Sequence, residues 1–427
     1  MRNFLKLCSL VSLFAVALVL FPPPLHAQWV YVNDNNANTG ANTATGFMNI
    51  PTNKLLSIPG SPWATGGTGR GTSSALKNQA LYTVGAPPNT PCLYISDPNA
   101  STSYPNGDIA AFQVNTGTGS LALVARYAPP AGSSGSSSGI ALATGKATLY
   151  AGFTFSKTIA VWKITGANCT LTYSSLVTVM PLHGGHINGM SESLNQNTLV
   201  VTYDDGSIES FTTTGSGIAK TPCVTAINST GYSDGNGGHP AGVDITRDSK
   251  YAIFGDQSSG APTELETVEL PITCSTVTTD FGGSIGASGI NLGSGQDSED
   301  VWLSPNEEFI YVANNSNGKV TTVDFTETPT PALALAGPCT APFTNPTSLR
   351  PASWAIDAGI QTSTTTGTGT RLYVAEYGAP SSVALLAVNA AGCTREAPLS
   401  PFTDNNSNYS LYGFGLTSIN AWPPRPF

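Results

Sequence analysis

The sequence predicts an all-β fold, a seven-bladed β-propeller built of four-stranded antiparallel blades. A short strand rich in β-branched and aromatic residues recurs seven times, at intervals of about 50 to 63 residues, a spacing typical of propeller blades. Only 10% of the 427 residues are charged, whereas Gly numbers 45 and Pro 31, which indicates many short strands joined by turns. Long helices are therefore not expected.

Each blade is predicted to contain a hairpin. The recurring strands begin at Trp29, Cys92, Thr148, Thr198, Tyr251, Phe309 and Arg371. Behind most of them comes a turn of Asn, Asp, Gly and Ser, and then a second alternating strand such as GDIAAFQV or KTIAVWKI. A looser third segment follows, and a fourth runs inward ahead of the next hairpin. Two unrelated β domains are the alternative interpretation of the same pattern.

The two ends of the chain favour a closed ring. The first blade begins directly with a hairpin at Trp29, and the segment from Tyr412 resembles an inner strand that has no hairpin of its own. We expect the C-terminal strand to complete the first blade and close the ring. Closure is physically favourable because a ring of blades leaves no long sheet edge open to aggregation.

The N-terminal residues 1–27 have the pattern of a secretory signal peptide. Arg2 and Lys6 flank the start of an apolar stretch of signal-peptide length, and Ala27 is a suitable cleavage residue. No second apolar run of about 18 residues follows, so no membrane span is expected. The prediction is a secreted or periplasmic protein whose residues 28–427 form a single propeller domain.

The charge balance excludes one class of partner. The formal net charge is -9, and the sequence has no run of Lys and Arg that would bind phosphates or anionic lipid. Nucleic acid is therefore not an expected partner. The sequence leaves the oligomeric state open.

The six cysteines after residue 27 are expected to have structural roles. Five of them fall between a hairpin and the outer segment of blades three to seven, and Cys92 opens the hairpin of blade two. Because one cysteine per blade cannot form a bridge within its blade, any disulfide must join neighbouring blades. The pairing is left open among Cys92, Cys169, Cys223, Cys274, Cys339 and Cys393.

The candidate site comes from aligning the repeats. His186 and His239 each follow a Gly-Gly pair and lie about 13 residues ahead of the core of the next recurring strand, and the same interval in the next blade leads to Asp297. We expect these three residues to lie at one level near the mouth of the central channel. Glu299 and Asp300 lie beside Asp297. Arg350, ahead of blade seven, is the candidate for binding substrate.

Two kinds of chemistry fit two imidazoles and a carboxylate. One is general acid and base catalysis by His186 or His239 with Asp297, Glu299 or Asp300. The other is a divalent transition metal bound by His186, His239 and Asp297. The simplest alternative is a set of polar residues that line a wet channel without a ligand.

The repeats also resemble a known family. The stretch 303–325, LSPNEEFIYVANNSNGKVTTVDF, is similar to the blade motif of the lactonase-like seven-bladed propellers, which include 6-phosphogluconolactonases and carboxymuconate-cyclising enzymes. The tetrads YVND at Tyr31 and YVAN at Tyr311 resemble the Tyr-Val-Thr-Asn repeats of secreted and surface-layer proteins. The resemblance covers nearly all of residues 28–427 and implies the fold more strongly than the chemistry, because enzymes and non-enzymes share such repeats.

The sequence departs from the pattern of the family at three positions. Ala241 stands where a second histidine of a His-Pro-His entry is common, Asp300 replaces a glutamate, and Asn315 replaces an arginine. An arginine there would be the natural bidentate partner of a carboxylate or phosphate. The prediction is therefore a lactonase-like propeller that binds an extracellular polymer or peptide. The alternative is an active lactonase whose small-molecule substrate is a lactone.

Overall fold

The structure is a computed structural model of the chain. It describes residues 28–50, 54–70, 81–86, 90–135, 139–144, 147–165, 168–179, 185–193, 195–205, 207–214, 217–220, 225–226, 239–257, 262–272, 288–294, 298–304, 306–314, 319–327, 331–337, 339, 358–362, 370–376, 382–403 and 418–422. Throughout these described residues, the regular elements are β-strands, numbered β1 to β30 along the chain, and they pair into seven sheets.

Blades 1 to 3 are given from the centre of the ring outward. Blade 1 contains β30 (Ser418–Trp422), β1 (Gln28–Asn33), β2 (Thr43–Ile50) and β3 (Lys54–Ser57), with β4 (Trp63–Ala64) also paired to β2. Blade 2 contains β5 (Leu81–Ala86), β6 (Thr90–Asp97), β7 (Asp108–Val114) and β8 (Leu121–Tyr127). Blade 3 contains β9 (Ile140–Thr144), β10 (Thr148–Phe153), β11 (Thr158–Thr165) and β12 (Thr170–Thr178).

Blades 4 to 7 repeat this order. Blade 4 contains β13 (Ile187–Glu192), β14 (Thr198–Tyr203), β15 (Ser207–Thr214) and β16 (Gly217–Lys220), with β17 (Thr225–Ala226) also paired to β15. Blade 5 contains β18 (His239–Ile245), β19 (Tyr251–Gln257), β20 (Pro262–Glu269) and β21 (Ser288–Ser294). Blade 6 contains β22 (Ser298–Leu303), β23 (Phe309–Asn314), β24 (Lys319–Thr326) and β25 (Ala332–Leu335). Blade 7 contains β26 (Ala358–Thr362), β27 (Thr370–Glu376), β28 (Ser382–Val388) and β29 (Thr394–Glu396).

The ring closes as the sequence predicts. The innermost strands contact one another in the cyclic order β30, β5, β9, β13, β18, β22, β26 and back to β30. The C-terminal strand β30 pairs antiparallel with β1, and Trp422 lies opposite Trp29. The first and last parts of the described chain thus share one sheet, and the prediction of a seven-bladed propeller is confirmed.

The core consists of seven apolar clusters, as seen in the described residues, and each cluster lies between two consecutive blades. Alternation along a strand produces this arrangement, because successive side chains point to opposite faces of a sheet. In β1, Val30 and Val32 pack towards blade 7, whereas Trp29 and Tyr31 pack towards blade 2. The second strand of a blade is therefore buried on both faces.

Two disulfides join neighbouring blades. Cys92 in blade 2 is bonded to Cys169 in blade 3, with a Cα–Cα distance of 5.4 Å. Cys339 in blade 6 is bonded to Cys393 in blade 7, with a Cα–Cα distance of 5.7 Å. The prediction that bridges cross between neighbours is confirmed for these four cysteines. The other two, Cys223 and Cys274, lie outside the described residues.

One detail of the cysteine prediction is wrong. Cys339 follows the outer strand β25 of blade 6, whereas the repeat pattern indicates a position ahead of that strand. The reason is that β25 begins at Ala332, only a few residues after the hairpin ends at Thr326. Cys339 therefore lies beyond the outer strand of blade 6, where it is bonded to Cys393 of blade 7.

The predicted signal peptide, residues 1–27, lies outside the described residues and stays a prediction. Within the described part of the chain, no helix has the length and apolar character needed to cross a membrane.

Candidate functional site

All blades present the same ends of their strands to one face of the ring. At this face the innermost strands begin and the second strands end, because neighbouring strands of a blade are antiparallel. We call it the site face. His186 lies directly ahead of β13, and Asp204 directly follows β14, so both residues of blade 4 belong to it.

His186 and Asp204 form a closely bonded pair. Nδ1 of His186 lies 3.0 Å from Oδ2 of Asp204. The backbone N–H of His186 donates to Oδ1 of the same carboxylate at 2.6 Å, and the backbone N–H of Asp204 donates to the carbonyl oxygen of His186 at 3.0 Å. One hydrogen bond therefore orients the imidazole relative to the carboxylate, and two more fix the backbone of His186 against Asp204.

The pairing determines which ring nitrogen is available for chemistry. An ionised carboxylate only accepts hydrogen bonds, so a neutral imidazole bonded in this way carries its proton on Nδ1 and presents a lone pair on Nε2. Within the described residues, Nε2 makes no hydrogen bond, and the side chain of His186 is 39% exposed. An oriented, accessible imidazole that is backed by a carboxylate is the arrangement of a general base.

The chain leading into His186 is held by a second carboxylate. The backbone N–H of Gly185 donates to Oδ2 of the buried Asp205 at 2.9 Å. A Cβ atom on Gly185 would lie 2.4 Å from Cγ of Asp205, so only glycine allows this approach. Asp205 also accepts hydrogen bonds from the backbone N–H and the hydroxyl of Ser207. One glycine of the GGH sequence thus has a structural explanation.

The innermost strands of blades 4, 5 and 6 share one register. Each contains a bulge close to the site face, and these lie between Ile187 and Gly189, between Pro240 and Val243, and between Ser298 and Asp300. Bulges of this kind are frequent beside functional sites. The residues ahead of Ile187, Pro240 and Ser298 are His186, His239 and Asp297, which therefore occupy equivalent places in the sequence of their blades.

The structure describes the remaining candidates only in part. The backbone of His239 lies opposite Gln257, and Glu299 lies within β22, but the side chains of both residues are outside the described part of the structure. Asp297 and Arg350 lie outside the described residues altogether. The convergence of His186, His239 and Asp297 on the channel mouth therefore stays a prediction.

Asp300 belongs to a different contact from His186. Its Oδ1 accepts a hydrogen bond from the backbone N–H of Val301 at 2.9 Å. The same oxygen lies so close to Gly242 of β18 that a Cβ atom there would be 1.8 Å away. Asp300 therefore packs against the innermost strand of blade 5, next in the ring to blade 4, which holds the His186–Asp204 pair.

The predicted metal site is not tested by the described residues. No group of three or more His, Cys, Asp and Glu residues is arranged for a metal ion within them, but they include neither Asp297 nor the side chain of His239. Nε2 of His186 suits a metal as well as a proton, since metal-bound histidines commonly donate their other N–H to a carboxylate.

A second charged cluster lies at the site face in blade 2. Asp97 ends β6 and lies opposite Asp108, which begins β7. Arg126 donates from Nε to Oδ1 of Asp108 at 3.0 Å and from Nη2 to Oδ2. Asn42 donates from Nδ2 to Oδ1 of Asp97 at 2.6 Å. Burial, followed by the charge of Asp108, raises the pKa of Asp97 to about 7.

One further carboxyl group lies at the opposite end of the innermost strands. Glu192 ends β13, and its Oε1 accepts a hydrogen bond from the hydroxyl of Tyr150 in blade 3 at 2.9 Å. Burial raises the pKa of Glu192 to about 7. Because it lies at the far end of β13 from His186, we assign this contact to the packing of blade 3 against blade 4.

Asp204 is the residue that the sequence reasoning missed. It belongs to the DDGS turn, which the repeat pattern explains as the tip of a hairpin. The antiparallel register would have found it, because Tyr203 lies opposite Ile187, so the next residues on each strand are Asp204 and His186. In blade 5 the same rule leads from His239 to Gln257, which is not a carboxylate.

Comparison with known proteins gives matches only among solved structures. No protein-family model matches the sequence, and no curated protein matches it either. Among solved structures, a candidate 6-phosphogluconolactonase from Bacteroides fragilis is 12% identical with a TM-score of 0.61, and the match covers 94% of this chain and 99% of that one.

Two further structures give the same picture. A candidate 6-phosphogluconolactonase from Bacteroides uniformis is 14% identical with a TM-score of 0.60, covering 88% of this chain and 97% of that one. The periplasmic gluconolactonase of Pseudomonas aeruginosa is 10% identical with a TM-score of 0.56, covering 88% and 98%. At these identities the likeness is one of fold. The chain has the seven-bladed β-propeller fold of the 6-phosphogluconolactonase-like proteins.

Proposed function

We propose that the protein hydrolyses a lactone at the site face, with His186 as the general base and Asp204 as the residue that orients it. The observation that carries the proposal is the hydrogen-bonded pair of His186 and Asp204, in which Nδ1 is engaged and Nε2 is not bonded within the described residues. The fold shared with lactonase-like proteins supports the same reaction class.

The chemistry follows from the free lone pair on Nε2. The imidazole takes a proton from a water molecule while the water oxygen attacks the lactone carbonyl carbon. The ester C–O bond of the ring then breaks, and the imidazolium returns the proton to the leaving alkoxide. One lactone and one water give one hydroxy acid. Asp204 stabilises the imidazolium that forms between the two proton transfers.

The charge of the protein favours an uncharged substrate. The net charge of -9 repels anions, and the guanidinium of Arg126 at the site face is already paired with Asp108. We therefore favour a neutral lactone over a phosphorylated or carboxylated one. Arg350 stays a candidate for contacting substrate from blade seven.

The proposed location is the periplasm or the extracellular space. The predicted signal peptide, the two disulfides between blades and the periplasmic location of one structural neighbour all support it. Disulfides persist in an oxidising compartment and stabilise the fold there, whereas the reducing cytosol keeps cysteines as free thiols. Export of a variant that is synthesised without residues 1–27 would contradict this part of the proposal.

The test is hydrolysis of a panel of neutral lactones by the purified protein. The reaction is monitored through the acid that it releases. We expect His186→Ala to lower kcat/KM by about 100-fold or more, and Asp204→Asn by about tenfold or more, because the wrong tautomer is then favoured. The comparison variant is His239→Ala, which removes the other candidate base, a residue whose backbone lies opposite Gln257. Activity that survives His186→Ala but is lost in His239→Ala would overturn the assignment of the base.

A second candidate function is binding of an extracellular polymer or peptide without turnover. The observation that favours it is the lack of a carboxylate opposite His239, together with Ala241 in place of a second histidine. A protein that binds a lactone or a polysaccharide but hydrolyses none of the panel would support this function.

Elemental analysis of the purified protein tests whether hydrolysis depends on a metal ion bound by His186, His239 and Asp297. A metal-free and active protein would exclude this alternative.

A further inference from the structure

An exposed aromatic residue lies in a turn that is hydrogen-bonded to Ile187, the residue directly after His186. Phe155 is in the turn between β10 and β11 of blade 3, at the site face, and the residue is 63% exposed. The preceding residue, Thr154, donates from its hydroxyl to the carbonyl oxygen of Ile187 at 3.2 Å. Because Ile187 directly follows His186, this hydrogen bond places the turn of Phe155 next to the proposed base.

The equivalent turn of blade 2 provides a comparison. Tyr104 lies in the turn between β6 and β7, and its ring contacts the guanidinium of Arg126, whose Cζ is 4.3 Å from the ring centroid. The hydroxyl of Tyr104 also donates to the carbonyl oxygen of Arg126 at 3.3 Å. The aromatic residue in this turn of blade 2 thus packs against another residue of the same blade. Within the described residues, the ring of Phe155 contacts no other ring and no cation.

Exposure of Phe155 is unfavourable in the protein alone. Turns of this kind normally carry Gly, Asn, Asp or Ser. An exposed phenyl ring lacks the favourable free energy that burial of its apolar surface would provide. A ligand that covers the ring recovers this free energy. Aromatic faces have a negative quadrupole, which attracts the weakly positive C–H groups of a saturated ring.

We propose that Phe155 is a specificity-determining residue that stacks against the C–H face of a saturated, uncharged lactone ring held at His186. The inference rests on the proposed function, and it names the substrate class of that site. The stack positions a cyclic, uncharged substrate but touches neither the carbonyl carbon nor the attacking water. Its contribution is the same in the ground state and the transition state, so it acts on KM and leaves kcat nearly unchanged.

The experiment is steady-state kinetics with a six-membered aldonolactone. We expect Phe155→Ala to raise KM about tenfold with kcat within about twofold of the wild type, and Phe155→Trp to keep a KM close to that of the wild type, because the larger ring preserves the stack. The matched control is Leu335→Ala, a change at a residue of 51% exposure on the outer strand β25, and it should change neither constant. An unchanged KM in Phe155→Ala would overturn the proposal.

A binding measurement separates this proposal from the proposed function. The corresponding lactam has the same ring and is not a substrate for ester hydrolysis, so calorimetric titration with it is independent of turnover. Loss of lactam affinity in Phe155→Ala, about tenfold, supports the stack even if the wild type hydrolyses no lactone. Equal affinity in the wild type and Phe155→Ala, or no binding to either, would overturn it.

Discussion

Two ionisable pairs at the site face differ in how completely the fold uses them. In blade 2, both oxygens of Asp108 accept hydrogen bonds from Arg126, and the carboxylate is fully buried. In blade 4, Asp204 holds His186 by one ring nitrogen and one backbone N–H, and the side chains are 20% and 39% exposed. The first pair is part of the packing, whereas the second presents a reactive nitrogen to solvent.

The difference shows how a repeated fold separates stability from chemistry. Both pairs lie at the site face, but His186 and Asp204 adjoin the first and second strands of blade 4, whereas Asp108 and Arg126 lie on the third and fourth strands of blade 2. In blade 2, Ser101 and Tyr104 add further contacts to Arg126 and close the cluster. The unoccupied Nε2 of His186 is therefore the feature that points to function.

The largest expected effect is on the buried pair. Arg126→Ala would leave the carboxylate of Asp108 buried without its cation, and we expect the free energy of unfolding to fall by about 3 to 5 kcal/mol. Urea denaturation measures this change. Lys250→Ala removes the cation of an exposed pair with Asp248 and is the matched control, which should lose much less. Equal losses in both variants would mean that the blade 2 pair is not a structural element.

The next effect is a dependence of stability on pH. Burial and the charge of Asp108 raise the pKa of Asp97 to about 7, above its ordinary value of 3.8. The folded protein therefore binds a proton that the unfolded chain releases, so this contribution to stability falls as pH rises from about 4 to about 7.

Asp97→Asn removes the titration and tests the sign. At pH 8 we expect the variant to be more stable than the wild type by up to about 4 kcal/mol, because the rise in pKa from 3.8 to about 7 corresponds to about 1.4 kcal/mol per unit. At pH 4 the difference should largely vanish. Parallel stability profiles for the two proteins between pH 4 and pH 8 would contradict the assignment.

The smallest effect on stability is expected at the His186–Asp204 pair. His186→Ala should lower the free energy of unfolding by less than about 1 kcal/mol, because the ring and the carboxylate that it contacts are both partly solvated. The same variant is expected to lose most of its activity. A loss of stability as large as that of Arg126→Ala would show that His186 is part of the packing, like the pair in blade 2.

Much of the fold was predictable from local patterns. The recurring strand and its hairpin partner appear in the structure as β1 and β2 in blade 1, and as β6 and β7 in blade 2. Alternating β-branched and aromatic residues report burial directly, because each strand face packs on a neighbouring blade. The position of Cys339 was not predictable, because the length of an outer strand depends on contacts with the next blade and leaves little trace in composition.

The candidate site was predictable only along one strand. Counting through the repeat places His186, His239 and Asp297 at equivalent positions, and the register of β13, β18 and β22 agrees with that count. The partner of His186 was missed because Asp204 lies 18 residues further along the chain, in a turn whose composition is explained equally well by turn geometry.

The sequence by itself determined the number of blades, the closure of the ring by the last strand and the rule that disulfides cross between blades. These properties follow from a repeated pattern of apolar strands, because each repeat packs only against its two neighbours. Only the tertiary structure decided that His186 is bonded to Asp204, that Arg126 is paired with Asp108 and that Phe155 is exposed. Each of these depends on which side chains meet across a strand pair or a blade boundary, and composition alone does not contain those distances.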